Sequence, residues 1–175
     1  DLVFIGNLSY VPNIEAANYI ANELVPILIK DYPNLNVLIA GSDPTYRVKK
    51  LANKHITING WVKDIRKAYC SGKIFIAPMK IGTGLQNKLL EAMSLEIPCI
   101  TSDLANKSLK ANPKENILIA NSTEEFATCT KQCLENEELR RKIGEGGRKF
   151  IIKNYNWEDV NKQLLNLFQS KQIEH

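Results

Sequence analysis

The sequence is poor in the residues that build disulfide scaffolds and metal centres. Of its 175 residues, four are cysteines and two are histidines. The cysteines do not have the paired spacing that is typical of a zinc site; they are Cys70, Cys99, Cys129 and Cys133. We therefore expect reduced and mostly buried thiols in a cytosolic protein, and no metal site.

Long apolar runs and a strong charge of one sign are also missing. No apolar stretch is long enough to cross a bilayer. The formal net charge is +4, which mildly favours anionic ligands but is too diffuse to indicate nucleic-acid binding. Apolar residues make up 44% of the chain, and its length suffices for one α/β domain with a core.

Two common nucleotide-binding motifs are absent. No G-x-G-x-x-G opens the first predicted helix, which argues against a dinucleotide-dependent dehydrogenase. No G-x-x-x-x-G-K-[ST] occurs either, which argues against a P-loop NTPase.

What the sequence does contain is an alternation of strand and helix patterns. The strand patterns are near-continuous apolar runs, which are typical of a parallel sheet covered on both faces. Strands are predicted at residues 2–6, 35–40, 56–59, 73–78, 98–101 and 116–120. Helices are predicted at residues 14–28, 44–54, 64–69 and 85–95, and in a C-terminal tail at 123–134, 137–155 and 157–170. The pattern indicates an α/β fold with a parallel sheet of about six strands and a helical C-terminal tail.

Special residues modify two of these helices. Pro26 is expected to kink or weaken the first helix, because proline has no backbone N–H to donate. Gly144, Gly146 and Gly147 are expected to bend or break the helix at 137–155, because glycine is a poor helix former.

The stretch from Ile74 to Thr101 is the most informative part of the chain. It reads as a strand, a glycine loop (Gly82-Thr83-Gly84), a helix and a second strand, which together form a βαβ unit. In such a unit the loop and the helix N-terminus lie at the carboxyl edge of the sheet, where free N–H groups favour anions. This edge is therefore the predicted ligand site.

Two charged residues follow the glycine loop. Lys88 and Glu91 are three positions apart and so share one face of the predicted helix. A cation for phosphate and a carboxylate for ribose hydroxyls would suit a nucleotide. The alternative is an ordinary helix start with a surface ion pair, in which Lys88 is a solvated lysine.

Several segments, in order, resemble the C-terminal, donor-binding domain of the family 4 (group 1) retaining glycosyltransferases, which have the two-domain GT-B fold. These segments are FIGN, NVLIAG, ITINGWVKD, FIAPMKIGTGLQNKLLEAMSLEIPCIT and a W-E-D near the C-terminus. The resemblance covers about Leu2 to Phe168 and is most specific from Gly82 to Pro98. It implies a Rossmann-like domain over residues 1–175 and a preceding acceptor domain of the same polypeptide that is absent from this chain.

The resemblance also implies a function. Such enzymes transfer a sugar from a nucleotide diphosphate sugar to an acceptor with retention of configuration, and they need no bound metal or other cofactor. Backbone amides and basic side chains then balance the diphosphate charge. It further implies a cytoplasmic protein, with peripheral attachment to the inner face of the membrane left open, in a setting such as bacterial polysaccharide assembly. The isolated domain is expected to bind nucleotide weakly and not to turn over.

By position, the resemblance implies roles for individual residues. Glu91 matches the second acid of the family's E-x7-E motif and would hold the ribose. Gly82, Thr83 and Gly84 would lie against the sugar and diphosphate, and Gly6 near the phosphates. Trp61 and Val62 match the segment that meets the base through its backbone, although Trp61 also fits an aromatic at the core edge.

The chain departs from the family pattern at three positions. Thr83 stands where the first acid of E-x7-E is expected, so the catalytic group is left unassigned. Asn7 and Asn13 stand where the family often has an Arg and a Lys that clamp the diphosphate. Lys88, with Lys80 as a second candidate, is expected to supply the lost charge.

Two alternatives to a glycosyltransferase remain, the first supported by these departures and the second a different enzyme on the same fold. One is a non-catalytic binding module that kept the fold and lost the chemistry. The other is a nucleotide-sugar 2-epimerase, which would need acids and a histidine at the cleft, where His55 is the candidate histidine. The sequence leaves the base, the sugar, the acceptor and the oligomeric state open.

Overall fold

A six-stranded parallel sheet forms the centre of the molecule. The computed structural model describes residues 1–82 and 84–155. The strands are β1 (Leu2–Ile5), β2 (Val37–Ala40), β3 (Ile56–Asn59), β4 (Ile74–Ala77), β5 (Cys99–Thr101) and β6 (Leu118–Ile119). They are arranged in the order β3-β2-β1-β4-β5-β6, and helices cover both faces. The predicted sheet is confirmed; β3 has the predicted bounds, and the other five strands are one to three residues shorter than predicted.

The central strands are almost inaccessible to solvent. All four residues of β1 are at most 4% exposed, and all four of β4 are fully buried. In the register, Leu2 lies between Val37 of β2 and Ile74 of β4. Burial on both faces explains why these strands read as continuous apolar runs rather than as alternating ones.

The helices are placed around this sheet in chain order. They are α1 (Val11–Tyr19), α2 (Val25–Leu28), α3 (Tyr46–Lys49), α4 (Ile65–Tyr69), α5 (Asn87–Ser94), α6 (Asp103–Leu109), α7 (Thr123–Glu135) and α8 (Glu137–Asn154). A π-helical turn, Ile20–Leu24, joins α1 to α2 and ends two residues before Pro26. The local weakening expected at Pro26 takes this form, because proline cannot donate a hydrogen bond to the preceding turn.

The structure corrects one helix prediction, adds a helix that was not predicted and leaves a third prediction untested. The helix predicted at residues 44–54 is shorter and spans Tyr46–Lys49, starting at Thr45, whose hydroxyl accepts a hydrogen bond from the Val48 N–H. Helix α6 was not predicted, although Ser102 caps it. The predicted helix at 157–170 lies outside the described residues.

The predicted break at the glycines of α8 is wrong, because the helix runs unbroken from Glu137 to Asn154. The glycines serve close packing instead. A Cβ at Gly144 would lie 2.1 Å from the Glu96 carbonyl oxygen, and one at Gly146 would lie 2.1 Å from the Glu115 carbonyl oxygen. Glycine therefore lets α8 lie directly against two connecting loops.

The sheet order determines where a ligand crevice forms. The chain moves from β1 towards β2 on one side and from β4 towards β5 on the other. The loops that follow β1 and β4 thus diverge at the carboxyl edge, and a crevice at such a switch point is the usual ligand site of open α/β sheets.

Candidate functional site

Close backbone packing shapes the floor of the crevice. The Gly6 N–H donates to the Ala40 carbonyl oxygen at 3.1 Å. Gly41 has a φ of +146°, and a Cβ there would lie 1.7 Å from the Gly6 carbonyl oxygen. A side chain at position 41 would therefore separate the loops that follow β1 and β2.

A cavity of about 320 Å³ opens above this floor. Its walls come from the loops after β1 and β2 and from α1, α4 and α5. Polar and charged residues in its lining are Asn7, Asn13, Ser42, Tyr69, Asn87, Lys88 and Glu91. Of the predicted site residues, the structure brings together Gly6, Asn7, Lys88 and Glu91 here.

Lys88 lies in the first turn of α5 and reaches across to α1. Its ammonium donates to Oδ1 of Asn13 and lies 5.1 Å from the centroid of the Phe4 ring. The Met79 sulfur is 3.8 Å from the ammonium nitrogen. Burial lowers the pKa of Lys88 to about 8, and the nearby charge of Glu91 opposes that shift. The solvated lysine considered as an alternative is therefore wrong.

Glu91 lies one turn further along α5 and has a different partner. Its Oε2 accepts a hydrogen bond of 2.6 Å from the hydroxyl of Tyr69, which is 1% exposed. Burial, with the neighbouring carboxylate, raises the pKa of Tyr69, so the hydroxyl stays a donor. The simple surface ion pair considered for Lys88 and Glu91 is wrong, since each side chain has a partner on another helix.

Gly82 and Gly84 are not among the described residues that line this cavity. Gly82 has a φ of +101°, a left-handed conformation that favours glycine. The Gly84 carbonyl oxygen accepts from the Gln86 side chain at 3.0 Å, and nothing lies within 4 Å of a Cβ built at Gly84. Thr83 lies outside the described residues.

Lys80 has partners away from the cavity. Its ammonium lies 4.1 Å from the centroid of the Tyr19 ring and 3.8 Å from Oε1 of Glu23. The structure therefore does not bring Lys80 to Lys88 and Glu91, and Lys88 is the predicted cation that lines the cavity.

Trp61 and Val62 also lie outside the lining of this cavity. Trp61 is 76% exposed, so the alternative of an aromatic at the core edge is wrong. Val62 lines a separate, open cavity of about 860 Å³ together with Asp64 and Arg66. Asp64 caps α4, and its side chain accepts from the Arg66 N–H at 3.1 Å.

His55 does not lie at the carboxyl edge. It directly precedes β3, and its Nδ1 is 3.0 Å from the Leu35 carbonyl oxygen, at the amino end of the sheet. The histidine that the epimerase alternative needed at the cleft is therefore on the opposite edge.

Sequence reasoning missed the two cavity residues that bond to Lys88 and Glu91. Asn13 was noted as a lost cation, but its buried amide contacts both Lys88 and the loop after β1. Tyr69 was not singled out, because its partner Glu91 is 22 positions away and local patterns carry no signal for that contact.

Neither a metal cluster nor a membrane helix is found in the parts that the structure describes. Within residues 1–82 and 84–155, no group of three or more His, Cys, Asp or Glu side chains is arranged to hold a metal. No helix in the same two ranges is long and apolar enough to cross a membrane. The four cysteines are free thiols.

Comparison with known families assigns the chain. The sequence model described as "Glycosyl transferases group 1" matches residues 1–136. The chain belongs to the group 1 glycosyltransferases. The predicted resemblance is thereby confirmed, and the chain is a domain of the C-terminal type with the GT-B Rossmann-like fold.

Relatives of this group 1 glycosyltransferase chain occur in archaea, bacteria and animals. An uncharacterized glycosyltransferase of Methanocaldococcus jannaschii is 29% identical over 152 residues, which is 76% of this chain and 36% of the relative. The glycosyltransferase 1 domain-containing protein 1 of Xenopus tropicalis is 26% identical over 134 residues, 72% of this chain and 39% of the relative. The chain thus spans well under half the length of these curated relatives.

Solved structures share the fold. HepE from Anabaena, solved with UDP and glucose, superposes with a TM-score of 0.79 at 14% identity, over 97% of this chain and 48% of that one. A C-terminal domain of a group 1 glycosyltransferase from Francisella tularensis superposes with a TM-score of 0.70 at 21% identity, over 89% of this chain and 86% of that one. The second match is to a C-terminal domain of nearly the same size.

Proposed function

We propose that this chain is the donor-binding domain of a retaining glycosyltransferase, and that its crevice binds a nucleotide diphosphate sugar. The observation that carries the proposal is the pair of Lys88 and Glu91 on one face of α5, at the switch point between β1 and β4. A half-buried ammonium and a carboxylate, side by side in one crevice, match the two polar parts of a nucleoside diphosphate.

Lys88 is the proposed diphosphate ligand. A cation removed from water interacts more strongly with an anion than an exposed one does, because solvent screens it less. The Gln86 side chain accepts no capping hydrogen bond from the N–H groups at the start of α5, the end of a helix that favours an anion. With these donors, the site would balance the diphosphate without a metal.

Glu91 is the proposed ribose ligand. Tyr69 donates to Oε2, which leaves Oε1 to accept from a sugar hydroxyl. The residue as a whole is exposed at the rim of the cavity, so a ligand could reach it. HepE of Anabaena was solved with UDP, which makes a uridine nucleotide the first probe to try.

The rest of the enzyme is proposed to lie against the carboxyl edge. Large exposed apolar side chains follow the ends of β1 to β4; they are Tyr10, Val11, Tyr46, Trp61, Ile65, Ile81 and Leu85. An apolar rim around a ligand crevice suits contact with another domain. We propose that this is an acceptor-binding domain of the same polypeptide, and that the enzyme builds a cell-surface polysaccharide.

Calorimetric titration with UDP, GDP and ADP tests the donor site. Selective binding by the wild type is expected, and Lys88→Ala is expected to weaken it about tenfold or more, because a hydrogen bond to a charged group contributes about 1.5–3 kcal/mol. Glu91→Ala should weaken binding of the nucleoside diphosphate but not of inorganic pyrophosphate. Lys142→Ala is the matched control, since Lys142 is an exposed helix lysine outside the cavity lining.

Two results would contradict the proposal. Equal affinity of the wild type and Lys88→Ala would remove Lys88 from the site. Acceptor-dependent sugar transfer by this chain alone would contradict the proposal that donor and acceptor bind to two different domains. In the full-length protein, unchanged biological output of Glu91→Ala would instead favour the non-catalytic binding module.

A further inference from the structure

We propose that Asn13 is a positioning residue that ties the Lys88 ammonium to the loop after β1 and so orients it towards a bound diphosphate. The proposal rests on the donor site described above, and it adds a residue from outside α5 to that site. It also assigns a role to an uncharged residue in the wall of a cavity built for an anion.

Both ends of the Asn13 side chain are used. Its Nδ2 donates to the Asn7 carbonyl oxygen at 2.8 Å, and its Oδ1 accepts from the Lys88 ammonium. The residue is 4% exposed, so water cannot readily replace either partner. Because an amide has one donor end and one acceptor end, these two contacts also fix its orientation.

The other surroundings of Lys88 explain why this contact matters. From β1 and from the segment after β4, it faces the neutral Phe4 ring and the Met79 sulfur. The titratable groups that face it are Glu91 on its own helix and Tyr69 from α4, which share a hydrogen bond with each other. Asn13 therefore supplies the oxygen partner from across the crevice. The Met79 sulfur is a weak acceptor for a second N–H group, and the third stays available for phosphate.

The loop is packed against Asn13 as closely as a glycine allows. A Cβ at Gly6 would lie 2.7 Å from Nδ2 and 2.9 Å from Cγ of Asn13. Gly6 thus makes room for the amide, and the amide in turn holds the carbonyl group of the next residue. The loop after β1 and the cation of α5 are joined through one side chain.

An amide suits this position better than a carboxylate would. An aspartate at position 13 could accept from Lys88, but it would offset the positive charge meant for the ligand. It would also present an oxygen to the Asn7 carbonyl oxygen, where Asn13 now donates. A leucine of similar size would remove both contacts.

The test combines two measurements on Asn13→Asp and Asn13→Leu. The first is the NMR titration midpoint of the Lys88 ammonium without ligand, assigned with Lys88→Arg. The second is calorimetric titration with UDP, GDP and ADP. Asn18→Asp and Asn18→Leu are the matched controls, because Asn18 lies on the same helix and bonds the Ile14 carbonyl oxygen away from the cavity.

We expect the Lys88 midpoint to rise by about one pH unit in Asn13→Asp, since an opposite charge favours the protonated form, and to fall in Asn13→Leu. Both variants should bind the nucleotide about tenfold more weakly, while the Asn18 controls leave both readouts unchanged. A purely structural role for Asn13 would not move the midpoint in opposite directions in the two variants.

The outcomes separate this inference from the proposed function. If the wild type binds a nucleotide and folded Asn13 variants keep its midpoint and affinity, the inference is overturned and the donor site stands. If the wild type binds none of the three nucleotides, the donor site falls and the positioning role falls with it. Should Asn13→Leu fail to fold, the near-isosteric Asn13→Asp decides.

Discussion

At the scale of single residues, the Tyr69–Glu91 hydrogen bond can be removed without disturbing the surrounding packing. Tyr69→Phe removes one hydroxyl and keeps the ring packed on Phe75, whose centroid is 5.3 Å away. We expect the free energy of unfolding to fall by about 1 kcal/mol, because Glu91 is exposed and water can replace the lost donor. Chemical denaturation measures this change.

The same variant tests how Glu91 is held for a ligand. Nucleotide affinity should drop several-fold in Tyr69→Phe, because the freed carboxylate samples more orientations. Tyr32→Phe is the matched control, since Tyr32 also donates to a glutamate, Glu135, and neither residue lines the cavity. Equal losses of affinity in both variants would contradict the assignment.

Lys88 makes stability depend on pH. Its folded pKa of about 8 is below the ordinary value of 10.5, so the unfolded chain binds more protons between these two values. Stability contributed by this group therefore rises as the pH increases from about 8 to 10.5. Relative to Lys88→Met, the wild type should gain about 2 kcal/mol across that window, measured by denaturant unfolding at each pH. Lys142→Met, which removes an exposed helix lysine, is the control for the loss of a positive charge.

At the scale of elements, the glycines of α8 are positions where helix propensity and packing predict opposite effects on stability. Alanine is the better helix former by about 1 kcal/mol, so Gly144→Ala and Gly146→Ala would stabilise an isolated helix. We expect both to destabilise the protein by about 1–3 kcal/mol, because the new Cβ would meet a backbone carbonyl oxygen at 2.1 Å. Thermal unfolding of the wild type and the two variants measures the change in stability.

Gly147→Ala is the graded comparison within the same helix. Its nearest contact would be the Asn116 carbonyl oxygen at 3.1 Å, so the neighbour has to move much less. A loss at Gly147 as large as at Gly144 would show that helix packing is not what selects these glycines.

The same elements mark how far the sequence could predict the fold. The buried strands and the βαβ unit were predictable, because burial on both faces leaves a continuous apolar run in the chain itself. The break in α8 was predicted wrongly, because the reason for its glycines is a carbonyl group on a distant loop. Helix α6 was missed, although Ser102 is a capping residue and Asp103 follows it in the first turn.

The candidate site also has residues that the sequence could predict and residues that it could not. Lys88 and Glu91 were predictable as one face of one helix, because helical spacing is local. Asn13 and Tyr69 contact them from α1 and α4, 75 and 22 positions away along the chain. Contacts at such separations are decided by the sheet order, which no single segment contains.

At the scale of the whole molecule, the reactivity of each cysteine thiol depends on how deeply it is buried. Cys70 is exposed, Cys99 and Cys133 are buried, and Cys129 is half-buried. Burial raises the pKa of Cys99, Cys129 and Cys133, so their reactive thiolate forms are rare. We expect a thiol reagent to label Cys70 rapidly in the native protein, Cys99 and Cys133 very slowly, and all four in denaturant. Rapid native labelling of Cys99 would contradict the buried position of β5.

The sheet order has a consequence for how the chain is made. Of the six strands, β1 is synthesised before the others, yet it lies in the centre and pairs with both β2 and β4. Strands β1 to β3 can pair as soon as residues 2–59 have left the ribosome, whereas β4 to β6 add to the other side of β1 later. The crevice lies on the seam between these two halves, and Lys88 and Glu91 belong to the second. Nascent chains that end before α5 would therefore fold one wall of the site without its charged groups, and nucleotide binding would be among the last properties that the domain gains during translation.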